Sequence, residues 1–197
     1  EKQSMILIDK ARKDELLKTF GQEAHLCCGG SIANSLYIAT KLGCKGHHIG
    51  VIGNDAIGEK TIQDYTANQI GQSFSESKVD GDSGCCIVLI TPDGERTMLT
   101  YLGVSSSFNS VEFTYPLIEQ SERLFIEGYL LSDDSSYELI LNKIIPFAKK
   151  MGVSILFSLS NAGLVGFFKL RFTTIIEQGI DILFCNKAEA EAISGKE

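Results

Sequence analysis

From residue 109 onward, helical and strand-like segments alternate along the chain, and this alternation restricts the possible folds more than any other feature. Apolar periodicity predicts helices near residues 111–120, 137–151 and 165–178, strands at residues 123–127, 153–158 and 180–185, and a last helix from Asn186. Units of this kind form a mostly parallel sheet covered by helices. The sequence therefore predicts an α/β protein.

The first part of the chain also begins with a strand followed by a helix. An apolar run at residues 5–8 predicts the strand, and Asp9 is placed to cap a helix that continues to Phe20. Gly21 is expected to end this helix in a left-handed conformation. Further elements are a helix after Gly29-Gly30-Ser31, a strand at residues 49–52 and a helix over residues 56–68.

A β-hairpin interrupts the alternation. Residues 85–90 and 95–101 are strand-like, and Thr91-Pro92-Asp93-Gly94 between them suits a type I turn. Since helix and strand units resume after it, the hairpin is the segment that we expect to leave the main sheet.

Length, charge and hydropathy exclude several classes of protein. The 197 residues suffice for one large domain, and 18 basic against 25 acidic residues give a net charge of −7 without a basic stripe. A nucleic-acid polymer is therefore not expected as a partner. The apolar stretches are much shorter than the roughly 20 residues of a membrane-spanning helix, so no membrane association is expected.

The six cysteines show no recognisable framework. They are Cys27-Cys28, Cys44, Cys85-Cys86 and Cys185. This spacing fits neither a zinc site nor a disulfide scaffold, and no signal-peptide pattern opens the chain. We expect small buried thiols in a reducing, cytoplasmic protein. Because the chain starts at Glu1 without an initiator Met and stops at Glu197 inside a predicted helix, we also expect a fragment.

The first candidate site is Gly29-Gly30-Ser31-Ile32-Ala33-Asn34. The glycines allow close approach of a ligand, the helix start offers free N–H groups, and Asn34 supplies a donor and an acceptor. These groups suit a polyhydroxylated ligand. The alternative is a glycine-rich turn whose Asn34 faces solvent. The motif is neither G-x-G-x-x-G nor a Walker loop.

Five motifs, taken in order, resemble those of the ribokinase/PfkB carbohydrate kinase family. They are Gly29-Gly30-Ser31-Ile32-Ala33-Asn34, Lys41-Leu42-Gly43, Gly50-Val51-Ile52-Gly53-Asn54-Asp55 with Gly58, Pro92-Asp93-Gly94-Glu95-Arg96-Thr97, and Asn186-Lys187-Ala188-Glu189. By itself, Asp55 before a helix is first of all an N-cap. The resemblance covers almost the whole chain, and residues 126–130 and 181–186 are most similar to bacterial adenosine-kinase-like sugar kinases.

The resemblance implies a fold. Residues 1–197 would form a partial ribokinase-like α/β domain, with a mostly parallel sheet flanked by helices. A small β-sheet lid would include the hairpin at about residues 85–101, and residues 3–9 are candidates for a further lid strand. Family members often pair through the lid, so a homodimer is a further expectation.

The resemblance also assigns roles to residues. Gly29, Gly30 and Asn34 correspond to family residues that hold the substrate hydroxyls, and Arg96 to a lid arginine near the transferred phosphate. Glu127 ends a predicted strand, where open α/β sheets place their ligands, and its carboxylate suits a sugar hydroxyl. A solvated hairpin arginine and a loop-capping carboxylate are the alternatives.

The motif at residues 186–189 resembles the family's Asn-x-x-Glu motif, which is associated with nucleotide phosphates and magnesium. Asn186 and Glu189 are therefore candidate ATP-binding residues, and Glu189 is a candidate Mg²⁺ ligand, because hydrated Mg²⁺ prefers oxygen donors. The same spacing is a helix capping box, and the two roles are compatible.

The implied activity is ATP- and Mg²⁺-dependent phosphorylation of a primary hydroxyl on a sugar or nucleoside. The chain contains neither the family's Gly-Ala-Gly-Asp loop, whose Asp is the catalytic base, nor the N-terminal substrate Asp, so the chain as given is expected to be inactive. Residues 160–164 include no aromatic ring to stack on a purine, which weighs against adenosine.

Two other functions compete with this interpretation. A non-catalytic sugar- or nucleoside-binding protein would bind its ligand without consuming ATP. A dinucleotide-dependent oxidoreductase would need G-x-G-x-x-G after an early strand, and the chain lacks that motif.

Overall fold

Two units, Glu1–Ser105 and Ser106–Glu197, make up the chain in the computed structural model, which describes residues 5–21, 24–74, 78–108 and 114–196. Unit 1 contains β1 (Met5–Leu7), α1 (Lys10–Phe20), α2 (Ser31–Lys41), β2 (His47–His48), β3 (Ile52–Gly53), α3 (Ala56–Ala67), β4 (Gly71–Gln72), β5 (Lys78–Val79), β6 (Cys85–Ile90) and β7 (Arg96–Tyr101). Unit 2 contains α4 (Thr114–Glu119), β8 (Arg123–Glu127), α5 (Asp134–Leu139), α6 (Ile145–Lys150), β9 (Ser154–Ser158), α7 (Ala162–Phe167), α8 (Lys169–Glu177), β10 (Ile182–Phe184) and α9 (Lys187–Ser194).

Strands β1, β7 and β6 form a small three-stranded sheet in unit 1. Strand β7 pairs antiparallel with β6 and parallel with β1. At the turn, the Gly94 N–H donates to the Thr91 carbonyl oxygen at 2.8 Å, and the φ of Gly94 is +81°, a value that favours glycine. The predicted hairpin is confirmed, and the strand predicted at residues 5–8 joins it. Residues 3 and 4 lie outside the described residues.

The remaining strands of unit 1 form two short parallel pairs, β2 with β4 and β3 with β5. The strand predicted at residues 49–52 was wrong for all but Ile52, because residues 49–51 form the connection between β2 and β3. The side chains that form the core beside α2 and α3 are Ala33, Ile52, Tyr65, Ile70 and Phe74.

Helix α1 begins as predicted but ends differently. The Asp9 carboxylate accepts a hydrogen bond from the Arg12 N–H at 2.8 Å, which confirms the N-cap. The φ of Gly21 is −62°, and its N–H donates to the Leu17 carbonyl oxygen at 2.8 Å. The prediction of a left-handed Gly21 was wrong, because this residue continues the helical hydrogen-bond pattern.

Unit 2 is built on the parallel sheet β10-β9-β8. Strand β9 lies in the centre, and its inward side chains are fully buried against the helices: Phe157 is 0% exposed, and its ring centroid lies 5.7 Å from that of buried Phe172. The other core residues of this unit include Ile118, Leu131, Ile140, Ile145, Ile155, Leu159, Val165 and Ile175. Parallel strands connected by helices confirm the predicted α/β fold.

The two long helices predicted in unit 2 are each divided. The segment predicted as one helix at residues 137–151 consists of α5, a π-helical turn over Ile140–Ile144, and α6. The segment predicted at residues 165–178 begins earlier, because the Asn161 side chain accepts from the Leu164 N–H at 3.0 Å and caps α7. It is interrupted at Phe168, which separates α7 from α8.

The six cysteines are free thiols, and the prediction that they are buried was wrong. Four are exposed, and Cys28 and Cys85 are half-buried. Within the described ranges, no helix has the length and apolar character that crossing a bilayer requires.

Candidate functional site

The predicted glycine motif forms the entry to α2. Gly30 is the N-cap residue and has a φ of +96°, a conformation that favours glycine. A methyl group added at Gly29 or Gly30 would meet no atom within 4 Å. The two glycines therefore border open space, as close approach of a ligand requires. Asn34 follows in the first turns of α2, and its side chain is exposed.

Asn34 lines a cleft of about 350 Å³ within unit 1. We call it the Asn34 cleft, and its lining residues are Cys27, Cys28, Ala33, Asn34, Tyr37, Asp64, Tyr65, Asn68 and Ile70. The sequence-based list of site residues missed Tyr37, Asp64 and Asn68. Tyr37 follows Asn34 by three residues and so shares its helix face, which is a signal that the sequence does contain.

The polar groups of the Asn34 cleft are held by neighbours. Asp64 accepts a hydrogen bond from the Lys60 ammonium at 2.6 Å, and the Asn68 side-chain amide donates to the Asp64 backbone carbonyl at 2.8 Å. The Lys41 ammonium lies 5.1 Å from the centroid of the Tyr37 ring. The cleft therefore offers an amide, a carboxylate and an aromatic ring, a combination suited to a hydroxyl-rich ligand.

Tyr65 connects this cleft to a histidine behind it. Tyr65 is 2% exposed, and its hydroxyl lies 2.6 Å from Nδ1 of His48. Burial, and secondarily the positive charge of His47, lowers the pKa of His48 to about 4. At neutral pH the His48 imidazole is therefore uncharged and holds the tyrosine in place.

The second motif has a structural role. Asp55 caps α3: its Oδ1 accepts hydrogen bonds from the Gly58 N–H at 2.8 Å and the Ser83 hydroxyl at 2.6 Å, and its Oδ2 accepts from the Ser83 N–H at 2.8 Å. Burial opposes ionisation of Asp55, but these hydrogen bonds outweigh it and hold the pKa below its usual value. The N-cap interpretation of Asp55 is confirmed.

Arg96 stands apart from the Asn34 cleft. It is the first residue of β7, is exposed, and pairs across the hairpin with Ile90. Directly opposed residues share a sheet face, so Arg96 lies on the same exposed face as Val88 and Met98. Among the described residues it does not line the cleft and makes no ion pair.

Glu127 and Asn186 lie at one edge of the sheet in unit 2. Glu127 is the last residue of β8 and pairs with Ser158, the last residue of β9. Asn186 follows the end of β10, on the other side of β9. Carboxyl ends of parallel strands are where open α/β sheets bind ligands. With one strand between them, Glu127 and Asn186 are separated by roughly 10 Å.

Asn186 and Glu189 form the predicted capping box at the start of α9. The Asn186 Oδ1 accepts from the Glu189 N–H at 2.9 Å, and Glu189 accepts from the Asn186 N–H at 3.1 Å and from its side-chain amide at 2.9 Å. Glu189 is 7% exposed. This arrangement confirms the capping interpretation, and a role in nucleotide or metal binding stays a prediction.

The donor set is also relevant to magnesium. No group of three or more histidine, cysteine or acidic side chains suited to a metal occurs among the described residues. The single buried carboxylate of Glu189 does not suffice to enclose an ion within protein ligands. It does fit a hydrated Mg²⁺ whose other ligands are water and phosphate oxygens.

Comparison with known proteins identifies related enzymes. A family model described as pfkB family carbohydrate kinase matches residues 5–197. The chain is 24% identical over 176 residues to a ribokinase of Mus musculus, which covers 89% of this chain and 51% of that protein. It is 26% identical over 179 residues to a ribokinase of Haemophilus influenzae, which covers 90% of this chain and 54% of that protein. The chain thus spans about half the length of these curated relatives.

Solved structures agree with the family model. The crystal structure of adenosine kinase from Sinorhizobium meliloti superimposes with a TM-score of 0.86 at 27% identity, covering 100% of this chain and 60% of that chain. A probable sugar kinase protein from Rhizobium etli gives a TM-score of 0.87 at 26% identity, covering 100% of this chain and 59% of that chain. Both the ribokinase-like α/β fold and the family resemblance of the sequence motifs are therefore confirmed.

Proposed function

Because the chain belongs to the pfkB family of carbohydrate kinases, we propose that it acts in the ATP- and Mg²⁺-dependent phosphorylation of a primary hydroxyl on a sugar or nucleoside. The observation that carries this proposal is the family match over residues 5–197, together with the glycine turn that presents Asn34 at a cleft. ATP as the phosphoryl donor favours a cytoplasmic location for the reaction.

On the substrate side, we assign Gly29, Gly30, Asn34 and Glu127 to hydroxyl binding. The open space beside the glycines and the exposed amide of Asn34 support the first three assignments. The position of Glu127 at the carboxyl end of β8 supports the fourth. These residues supply hydrogen-bond donors and acceptors of the types that substrate hydroxyl groups require.

On the nucleotide side, we assign Asn186 and Glu189 to ATP and its Mg²⁺, and Arg96 to the transferred phosphate. Phosphoryl transfer depends mainly on positioning and on neutralising charge. A guanidinium without an ion pair among the described residues suits the phosphate, and a buried carboxylate suits a hydrated magnesium ion.

ATP consumption by the full-length protein that contains this chain, with adenosine, ribose and fructose as acceptors, tests the proposal. Asn34→Ala should lower the activity at least tenfold, whereas Ser35→Ala, on the same helix but outside the cleft, should leave it nearly unchanged. Normal activity after Asn34→Ala and Glu189→Ala together would overturn the assignments.

A substitution at Glu189 separates capping from metal binding. Glu189→Gln retains a side chain that completes a capping box but removes the negative charge. If Glu189 binds the metal, Glu189→Gln should raise the Mg²⁺ concentration needed for activity, with a stability loss limited to the one acceptor that the amide nitrogen replaces. If the Glu189 carboxylate only caps α9, the Mg²⁺ concentration needed for activity should be the same in Glu189→Gln as in the parent protein.

Ligand binding without ATP consumption would instead identify a non-catalytic sugar- or nucleoside-binding protein. Calorimetric titration of the full-length protein with the same three acceptors, followed by an ATP assay on the same preparation, distinguishes the two functions. Binding in the first measurement and no turnover in the second would favour the binding protein.

We further propose that the small sheet β1-β7-β6 acts as a lid and pairs with a second copy of the chain. One face of this sheet exposes the apolar side chains of Leu7, Val88, Ile90 and Met98, which are normally covered, and Arg96 lies at the turn end of the same face. Val88→Lys should convert a dimer into a monomer in analytical ultracentrifugation. A chain that sediments as a monomer before substitution would refute the pairing.

A further inference from the structure

Two pairs of adjacent cysteines occur in the chain, and the fold places them differently. Cys85 and Cys86 lie on strand β6, where consecutive side chains point to opposite faces of the sheet. Cys27 and Cys28 lie in the irregular segment before α2, and both line the Asn34 cleft. The first pair therefore directs its thiols apart, whereas both residues of the second pair border one cavity.

The surroundings of the second pair give its two thiols different properties. Cys27 is exposed. Cys28 is half-buried, and its sulfur lies 4.0 Å from the Thr61 carbonyl oxygen. Burial raises the pKa of Cys28, against the opposing effect of its Thr61 hydrogen bond, and the negative charges of Asp64 and Cys27 raise it further. Cys27 is thus the accessible thiol that reacts first, and Cys28 is the neighbour that completes a two-sulfur site.

We propose that Cys27 and Cys28 form a dithiol site for soft, thiophilic electrophiles that bind two sulfurs at once, with trivalent arsenic as the chemical class. With phenylarsine oxide, two arsenic–sulfur bonds form and the arsenic–oxygen bond breaks. The oxygen leaves as water with the two thiol protons. Arsenic stays trivalent, so neither an oxidant nor a reductant is needed.

Occupancy of this site also fills part of the Asn34 cleft. Both cysteines belong to the lining of a cavity of about 350 Å³ that Asn34 and Tyr37 share. A phenylarsenic group bridging the sulfurs therefore lies beside these two side chains. The cleft can be closed by covalent capture at its cysteines, whether or not the protein acts as a kinase.

Thiol counting and mass spectrometry on the full chain test the dithiol. Phenylarsine oxide should add one phenylarsenic group per chain and lower the titratable thiols from the six of the sequence by two. The adduct should survive a monothiol and be removed by a dithiol. Cys27→Ser and Cys28→Ser should each abolish this adduct, and the matched variants Cys85→Ser and Cys86→Ser should retain it.

Two results would overturn the inference. The first is an adduct that persists in Cys27→Ser and Cys28→Ser, or one that requires Cys85. The second is an unchanged fluorescence of a tryptophan placed in the cleft. Because the chain has no tryptophan, Tyr37→Trp introduces a single indole there. The fluorescence of this indole should change when the adduct forms in the Tyr37→Trp variant. It should not change in the double variant that carries both Tyr37→Trp and Cys27→Ser. An unchanged emission would show that the arsenical does not occupy the cleft.

Discussion

Asp55 should be one of the most sensitive positions in unit 1. Its carboxylate accepts three hydrogen bonds, one from the start of α3 and two from Ser83 in the segment that leads to β6. Asp55→Ala removes all three hydrogen bonds together and leaves the N–H of buried Ser83 and the start of α3 without these partners.

The size of the effect follows from these contacts. Loss of an N-cap costs about 1 kcal/mol, and a hydrogen bond to a charged group contributes about 1.5 to 3 kcal/mol. Because water reaches part of the site and the three bonds share one carboxylate, we expect a loss of about 3 kcal/mol in the free energy of unfolding. Asp55→Asn keeps a capping oxygen but replaces the other acceptor with a donor, so we expect roughly half that loss.

Urea unfolding of the parent chain and both variants measures these differences, and hydrogen exchange of the α3 amides assigns them to unit 1. The pKa of Asp55 is held below its unfolded value, so its contribution is present above about pH 4 and is lost as the pH falls through the folded pKa. The difference between parent and Asp55→Ala should therefore shrink in acid. Equal stability of the three chains at neutral pH would refute the reasoning.

Three other outcomes follow from burial. Phe157→Ala, at a fully buried ring, should cost about 3 to 5 kcal/mol in urea unfolding, whereas Phe167→Ala, at an 82% exposed ring, should change stability by less than about 0.5 kcal/mol. Gly53→Ala places a carbon 2.2 Å from a carbonyl oxygen and should lower the melting temperature, but Gly166→Ala, in a helix with open space, should maintain or raise it. Burial lowers the pKa of His48 to about 4, so stability should fall as the pH drops from about 6.5 to about 4, and an NMR titration midpoint for His48 near the usual 6.5 would contradict this.

Periodicity and turn chemistry were sufficient to predict most elements of the fold. Helix α3, the hairpin and strand β8 agree closely with prediction because each has strong local signals: a capping Asp55, a Pro-Gly turn and an apolar run. The interruption at Phe168 has no such signal. It accompanies tertiary contacts of α8: the Arg171 guanidinium lies 4.7 Å from the centroid of the Phe168 ring and also donates to the Leu131 carbonyl oxygen at 2.8 Å.

Candidate site residues were predictable where a short motif carries them. Asn34 and the Asn186 to Glu189 box follow from local spacing, and the structure places both at helix starts. Asp64 and Asn68 line the Asn34 cleft from α3, about thirty residues away in the sequence, and only the packing of α3 beside α2 brings them there. The prediction that the cysteines are buried was wrong for the same reason, since composition does not reveal which strand faces or loops are covered.

Asp55 and Glu189 show why helix-start carboxylates need a structure to be interpreted. Each lies at the beginning of a helix, and each is compatible with either a cap or a ligand role in the sequence. A carboxylate offers about four lone-pair sites. Asp55 uses three of them on protein donors, whereas Glu189 uses two, one on each oxygen. Among the described residues no other donor reaches Glu189, so one acceptor site remains on each oxygen while Asn186 holds the carboxylate in place. A carboxylate that is both positioned and incompletely satisfied can accept hydrogen bonds from the water shell of Mg²⁺, which supports the role proposed for Glu189 but not one for Asp55.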